Sequence, residues 1–171
     1  INVGRGPIAG IAVDPQDGMV YTANQADNSV SVLDPATRRV VGTTAGLAEA
    51  TAIAAVDGHA FVNTVTLSHD AVAAIEPGAP EPTADYPVAM SARDLAVDRT
   101  GRYLYVARSG RDGADLAVID TADGRVRRLD LRTRPGAAAE AVTVSPDGAR
   151  VFVITVDDLG GELVSIDTAT H

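Results

Sequence analysis

The sequence has 171 residues, of which 46% are apolar and only 4% aromatic, and it contains no Cys and no Trp. All 14 basic residues are Arg, and the 23 acidic residues bring the formal net charge to −9. This balance argues against a nucleic-acid surface, while the missing Lys and Cys exclude Walker-type or Schiff-base lysines and thiolate sites.

Four similar segments follow one another along the chain. Each begins with a short apolar strand, predicted at residues 11–14, 53–56, 95–98 and 142–145. The next strand of each segment carries an aromatic residue, and these are Tyr21, Phe61, Tyr105 and Phe152. Equivalent positions lie 40 to 47 residues apart. A fixed order of anchors at such a period is typical of a repeat architecture.

Turn signals separate the strands within each repeat. A Gly stands in the turn after every first strand, at Gly18, Gly58, Gly101 and Gly148, as tight hairpins require. A third strand ends at an acid, namely Asp34, Glu76, Asp120 or Asp167. We interpret these acids as turn formers that bind backbone amides two residues further on.

Four short antiparallel strands per repeat of about 43 residues predict an all-β fold, the β-propeller, with one repeat per blade. The approximate repeat boundaries are 8–48, 49–90, 91–137 and 138–171. Residues 1–7 are predicted to complete a neighbouring or closing blade. The last repeat ends where its fourth strand is expected to begin. We therefore expect a segment of a seven- or eight-bladed ring; a closed four-bladed ring and an eight-bladed ring of two chains are the alternatives.

The first repeat resembles the YVTN-type β-propeller family. The resemblance rests on Val3, Gly4 and Pro7, on Val-Tyr-Thr-Ala-Asn at 20–24 and on Asp-Asn-Ser-Val-Ser-Val-Leu-Asp at 27–34. Repeats three and four keep weaker copies, and repeat two is the most degraded. The resemblance implies a bacterial periplasmic or cell-surface protein, and it says little about activity.

Differences between the repeats indicate where a ligand would bind. At the start of the inner strand the aligned residues are Ala9, Thr51, Arg93 and Glu140, followed by Gly10, Ala52, Asp94 and Ala141. In a propeller these positions lie at one mouth of the axial channel, beside the loops that carry Arg108 and Arg111. Our predicted ligand-binding residues are Arg93, Asp94, Arg108, Arg111 and Glu140. Guanidinium groups there would suit a carboxylate or phosphate; alternatively, Arg93 pairs with Asp94 or Glu140, and the loop arginines pair with Asp112 or Asp115.

No catalytic, metal or cofactor site is predicted. His59, His69 and His171 are far apart in sequence, and the acidic loops at 111–115 and 157–162 lack the ligand spacing of calcium loops. No apolar run approaches the ~20 residues of a membrane-spanning helix.

We therefore expect a non-enzymatic binding or scaffold module whose partner is a protein, peptide, small molecule or cell-envelope ligand. Two alternatives stay open. One is a metal-assisted, lactonase-like hydrolase or lyase that takes further site residues from other blades. The other is an assembly domain that forms a ring by dimerisation.

Overall fold

The computed structural model describes residues 1–89, 91–110 and 112–170, and their regular structure is almost entirely β-strand. The chain divides into two compact units, residues 1–87 (unit 1) and residues 88–171 (unit 2). The described residues contain no helix of the length and apolar character that crossing a bilayer requires.

Unit 1 contains blade 1 and most of blade 2. Blade 1 consists of β1 (Gly10–Val13), β2 (Val20–Asn24), β3 (Ser29–Asp34) and β4 (Arg39–Ala45). Blade 2 consists of β5 (Ile53–Val56), β6 (His59–Val65), β7 (Asp70–Ile75) and β8 (Ala84–Ala89), and the division between the units falls within β8. Each strand is hydrogen-bonded to the next along the chain.

Unit 2 repeats the same plan. Blade 3 consists of β9 (Ala92–Val97), β10 (Tyr103–Gly110), β11 (Gly113–Asp120) and β12 (Arg125–Asp130). Blade 4 consists of β13 (Ala138–Val144), β14 (Arg150–Asp157) and β15 (Gly160–Asp167), which form a three-stranded sheet within the described residues. The strands of each sheet lie inside one predicted repeat, and the repeat boundaries themselves stay predictions.

The cores form where the face of one blade meets the face of the next. In unit 1, side chains of β2 and β3 pack on those of β6 and β7, with Leu47 and Ala50 between them. In unit 2, Leu116 and Val118 of β11 share a core with Val151 and Val153 of β14. Because many of the facing residues are Ala and Val, the sheets can approach closely.

The middle strands of the first three blades are buried along nearly their whole length, on both faces. This holds for β3, β7 and β11, as expected for a strand enclosed in a stack of sheets. The equivalent strand of blade 4, β15, is mostly exposed. Blade 4 therefore has one packed face and one open face.

The predicted hairpin turns recur with nearly the same geometry. The glycine φ angles are 75°, 74°, 73° and 73° at Gly18, Gly58, Gly101 and Gly148. A side chain would be strained at such angles, which explains why glycine occupies this place in all four repeats.

The acids that close the third strands hold the following turns with their side chains in three of the four blades. Asp34, Asp120 and Asp167 each accept a hydrogen bond from the backbone N–H two residues further on, at 2.8, 3.1 and 2.9 Å. Hydrogen bonds to Thr37 and to Arg102 hold the pKa of Asp34 and of Asp120, respectively, below the usual range. Glu76 is the exception to the predicted side-chain role: the turn after it is closed by a hydrogen bond of 3.1 Å from the Ala79 N–H to the Glu76 carbonyl oxygen. Its carboxylate lies 3.8 Å from His59 Nε2.

Candidate functional site

The inner strands of unit 2 both contain a β-bulge at the predicted ligand-binding positions. In β9, Ala92 pairs with Arg108 and Asp94 with Ala107, so Arg93 is the extra residue. In β13, Ala139 pairs with Thr155 and Ala141 with Ile154, so Glu140 is the extra residue. A bulge re-aims the side chain that it carries. The aligned sequence positions are therefore structurally equivalent.

Both bulge residues present a charge to solvent. Arg93 and Glu140 are exposed, and neither forms an ion pair within the described part of the chain. The expected alternative, in which Arg93 pairs with Asp94 or Glu140, is therefore not the arrangement found.

Asp94 forms a hydrogen bond between the two blades of unit 2. Its Oδ2 accepts a hydrogen bond of 2.9 Å from the backbone N–H of Val142, which links β9 to β13. Burial raises the pKa of the Asp94 carboxyl, and the N–H groups of Val142 and Leu95 act in the opposite direction. The carboxylate therefore fixes the spacing of the two inner strands, beside the two bulges.

Arg108 turns its guanidinium group toward the protein. Its Nε donates to Asp115 Oδ1 at 2.8 Å, and its Nη1 donates to the carbonyl oxygen of Val88. The side chains of Arg108 and Asp115 are only 13% and 12% exposed. The prediction that Arg108 lies in a loop is wrong, because Arg108 lies within β10 and is paired in register with Asp115 of β11. Of the predicted alternatives, its ion pair with Asp115 is the one found here.

Arg128 joins this ion pair from the neighbouring strand, and sequence reasoning missed it. Its Nε lies 2.5 Å from Asp115 Oδ2, while its own side chain is 54% exposed. Two guanidinium groups thus share one carboxylate. A depression of about 240 Å³ opens beside them, with Ser109 and Asp112 also in its wall. Arg111, the remaining predicted ligand residue, lies outside the described residues.

The residues considered above as metal ligands do not lie together in the described part of the chain. Among the described residues, no group of three or more His, Asp or Glu side chains is placed to hold a metal ion. Asp157 instead accepts the backbone N–H groups of Leu159 and Gly160 and pairs with Arg134 at 3.1 Å. His69 lies in unit 1, with Nδ1 2.9 Å from Ser68 Oγ, and His171 lies outside the described residues.

Two curated relatives are similar to this chain in sequence. It is 37% identical over 146 residues to the seven-bladed β-propeller protein Rv1057 of Mycobacterium tuberculosis, which covers 83% of this chain and 37% of that protein. It is 38% identical over 170 residues to a seven-bladed β-propeller protein of Mycolicibacterium smegmatis, which covers 99% of this chain and 46% of that protein. The chain thus spans less than half the length of either relative. No family model matches the sequence.

Solved structures agree on the fold. A Kuenenia stuttgartiensis hydrazine synthase chain matches with a TM-score of 0.82 at 22% identity, over 99% of this chain and 48% of that one. The β-propeller domain of Cps50 (Swd1) from Myceliophteria thermophila matches with a TM-score of 0.70 at 12% identity, over 93% of this chain and 51% of that one. The predicted fold class is confirmed: this is an all-β chain with the blades of a β-propeller, consistent with part of a larger ring.

Proposed function

We propose that the chain is a non-enzymatic binding module whose unit 2 recognises a protein, peptide or cell-envelope ligand of mixed charge. The observation that carries the proposal is the pair of bulges, which exposes Arg93 and Glu140 at equivalent positions of neighbouring inner strands. A partner with an acidic and a basic group would satisfy both side chains. Complementary charge of this kind gives specificity to an interface.

The surroundings of the bulges support this proposal. The hydrogen bond from Val142 to Asp94 holds β9 beside β13, so the two bulges are positioned by strands and not by a long loop. Arg108, which pairs in register with the residue preceding Arg93, connects this region to the depression beside Asp115 and Arg128. Sites held by rigid elements lose less entropy on binding.

Selection of peptides tests the proposal. A library of random dodecapeptides is selected on the immobilised chain, and the affinities of the enriched peptides are measured by fluorescence anisotropy. We expect peptides that contain both acidic and basic residues. We expect Arg93→Ala and Glu140→Ala each to weaken binding about tenfold, which is the effect of losing one charge-assisted hydrogen bond.

Arg99→Ala is the matched control. Arg99 is an exposed arginine that follows the opposite end of β9, so its loss changes the net charge by the same amount away from the bulges. Binding should remain within about twofold of the unmodified chain, as for a distant surface charge. Peptides that bind the Arg93→Ala and Glu140→Ala variants as tightly as the unmodified chain would refute the proposal.

A second candidate function is assembly, and the open face of blade 4 favours it. Ile154 and Leu163 are directly paired on neighbouring strands and are 47% and 67% exposed. Val156 continues the same exposed face, which we name the open face. We propose that another blade of the same repeat covers the open face. For this chain on its own, only a second copy of the chain can supply that blade. The two relatives with seven blades support a like blade as the partner.

We also propose an extracytoplasmic setting, in the periplasm or at the cell surface. The support is the similarity of the first repeat to the YVTN-type repeat. Fractionation of the source cells tests this assignment, and recovery in the cytoplasmic fraction alone would contradict it.

A further inference from the structure

Unit 1 contains a cavity of about 290 Å³ beside the hairpin that joins β6 to β7, and we call it the hairpin cavity. Its floor is apolar and includes the buried side chains of Leu47 and Ala71. Polar groups of Thr64, Thr66, His69 and Asp85 complete its wall. All of these residues belong to unit 1, so the cavity shares no residue with the proposed site in unit 2.

The cavity occupies a place that every blade has and that each blade lines differently. In register, the pair Thr64 and Ala71 of blade 2 corresponds to Arg108 and Asp115 of blade 3, which form an ion pair in the wall of the depression of about 240 Å³. In blade 4 the equivalent cavity is only about 10 Å³.

Blade 1 closes the same place with the chain segment that precedes β1. Ser31 Oγ donates to the carbonyl oxygen of Val3, and the Arg5 N–H donates to Asp27. A Cβ at Gly6 would lie 2.4 Å from that of Ala26, so only glycine allows this close approach. Blade 2 instead combines small hairpin residues with a preceding segment, Gly46 to Ala48, that leaves the space open.

The hydroxyl groups in the wall have already used their protons. Thr64 Oγ1 donates to the carbonyl oxygen of Ala71 at 3.3 Å, and Thr66 Oγ1 donates to that of His69 at 2.6 Å. Thr66 Oγ1 also accepts hydrogen bonds from the backbone N–H groups of Ser68 and His69, at 3.4 and 3.2 Å, so its lone pairs are in use as well. Thr64 Oγ1 still has lone pairs to offer a ligand, because the one proton of its hydroxyl is already donated. This part of the wall therefore favours a ligand that donates hydrogen bonds.

Asp85 adds a negative charge to the same wall. It is exposed on β8 and forms no ion pair within the described residues. Residues 1–87 contain ten acidic residues and only three arginines, so this unit has a net charge of −7. The field around the cavity attracts cations and repels anions.

From this combination we infer that the hairpin cavity binds a small organic cation, a primary ammonium or guanidinium group on a short alkyl chain. Asp85 and Thr64 Oγ1 accept hydrogen bonds from the cationic head. Ala48 and Pro82, which are half-buried in the wall of the cavity, pack against the alkyl chain. The volume suits a ligand at the small end of the range for protein pockets.

Calorimetry with n-butylammonium and n-butylguanidinium chloride tests the inference, with sodium butyrate and 1-butanol as probes of the same chain length. We expect one cation to bind per chain and neither comparison compound to bind. Amide chemical shifts should change around residues 46–48 and 64–71. Asp85→Asn should lower the affinity about tenfold, because the carboxylate makes the charge-assisted hydrogen bond.

Glu76→Gln is the matched control, because it removes the same charge from an exposed position at the end of β7 in the same blade. It should leave the affinity within about twofold. Equal weakening by both variants would mean that the general field of unit 1 attracts the cation, and it would overturn the inference. Absence of binding, or unchanged binding by Asp85→Asn, would overturn it as well. These outcomes concern unit 1 alone and leave the peptide proposal for unit 2 untouched.

Discussion

Replacing Asp115 by Ala is expected to lower the free energy of unfolding by about 3 kcal/mol. Asp115 accepts from Arg108 Nε at 2.8 Å and lies 2.5 Å from Arg128 Nε. Its removal leaves the Arg108 guanidinium charge nearly buried, with one backbone carbonyl as its remaining partner. An uncompensated buried charge is costly because the protein interior replaces its hydration poorly. Urea denaturation followed by circular dichroism measures the loss.

Asp112→Ala provides the comparison for this variant. Asp112 lies in the wall of the same depression but is exposed, and it should change the free energy of unfolding by less than about 0.5 kcal/mol. Equal effects of the two substitutions would show that the ion pairs of Asp115 add nothing beyond a surface charge.

Leu116→Ala is also expected to lower the free energy of unfolding by about 3 kcal/mol, because it removes buried apolar contacts. Leu116 is fully buried in the core between blades 3 and 4. Truncating it removes apolar contact area and leaves a cavity that the surrounding strands fill only partly. The same urea experiment measures the change.

Leu163→Ala deletes the same atoms from the open face of blade 4. Leu163 is 67% exposed, so the expected change is below about 0.5 kcal/mol. If Leu163→Ala cost as much as Leu116→Ala, the open face would already be covered in the isolated chain.

The sequence was sufficient to predict the features that repeat. The spacing of Tyr21, Phe61, Tyr105 and Phe152 aligned the blades, and the turn glycines confirmed that alignment with nearly equal φ angles. The alignment also placed Arg93 and Glu140 at equivalent positions. The bulges themselves were not predicted, and the register of β9 and β13 revealed them.

Contacts between strands that do not repeat could not be predicted. Arg128 reaches Asp115 as a diagonal neighbour, because Asp115 pairs directly with Asp130 while Arg128 pairs with Ala117. This contact depends on the register of β11 and β12, which sequence alone left open. The bond from Val142 to Asp94 joins residues 48 positions apart and depends on how two blades pack. Local sequence patterns therefore predict neither of these two contacts.

Packing of one blade against another underlies the fold, both cores and the proposed assembly, and the solution mass of the chain tests it most directly. Light scattering over a concentration series should give a mass that rises above 17.5 kDa as copies cover the open face. The double variant Ile154→Ser/Leu163→Ser should remain near 17.5 kDa throughout. A monomeric mass for the unmodified chain at every concentration would contradict this expectation, because the open face would then be stable in water without another blade.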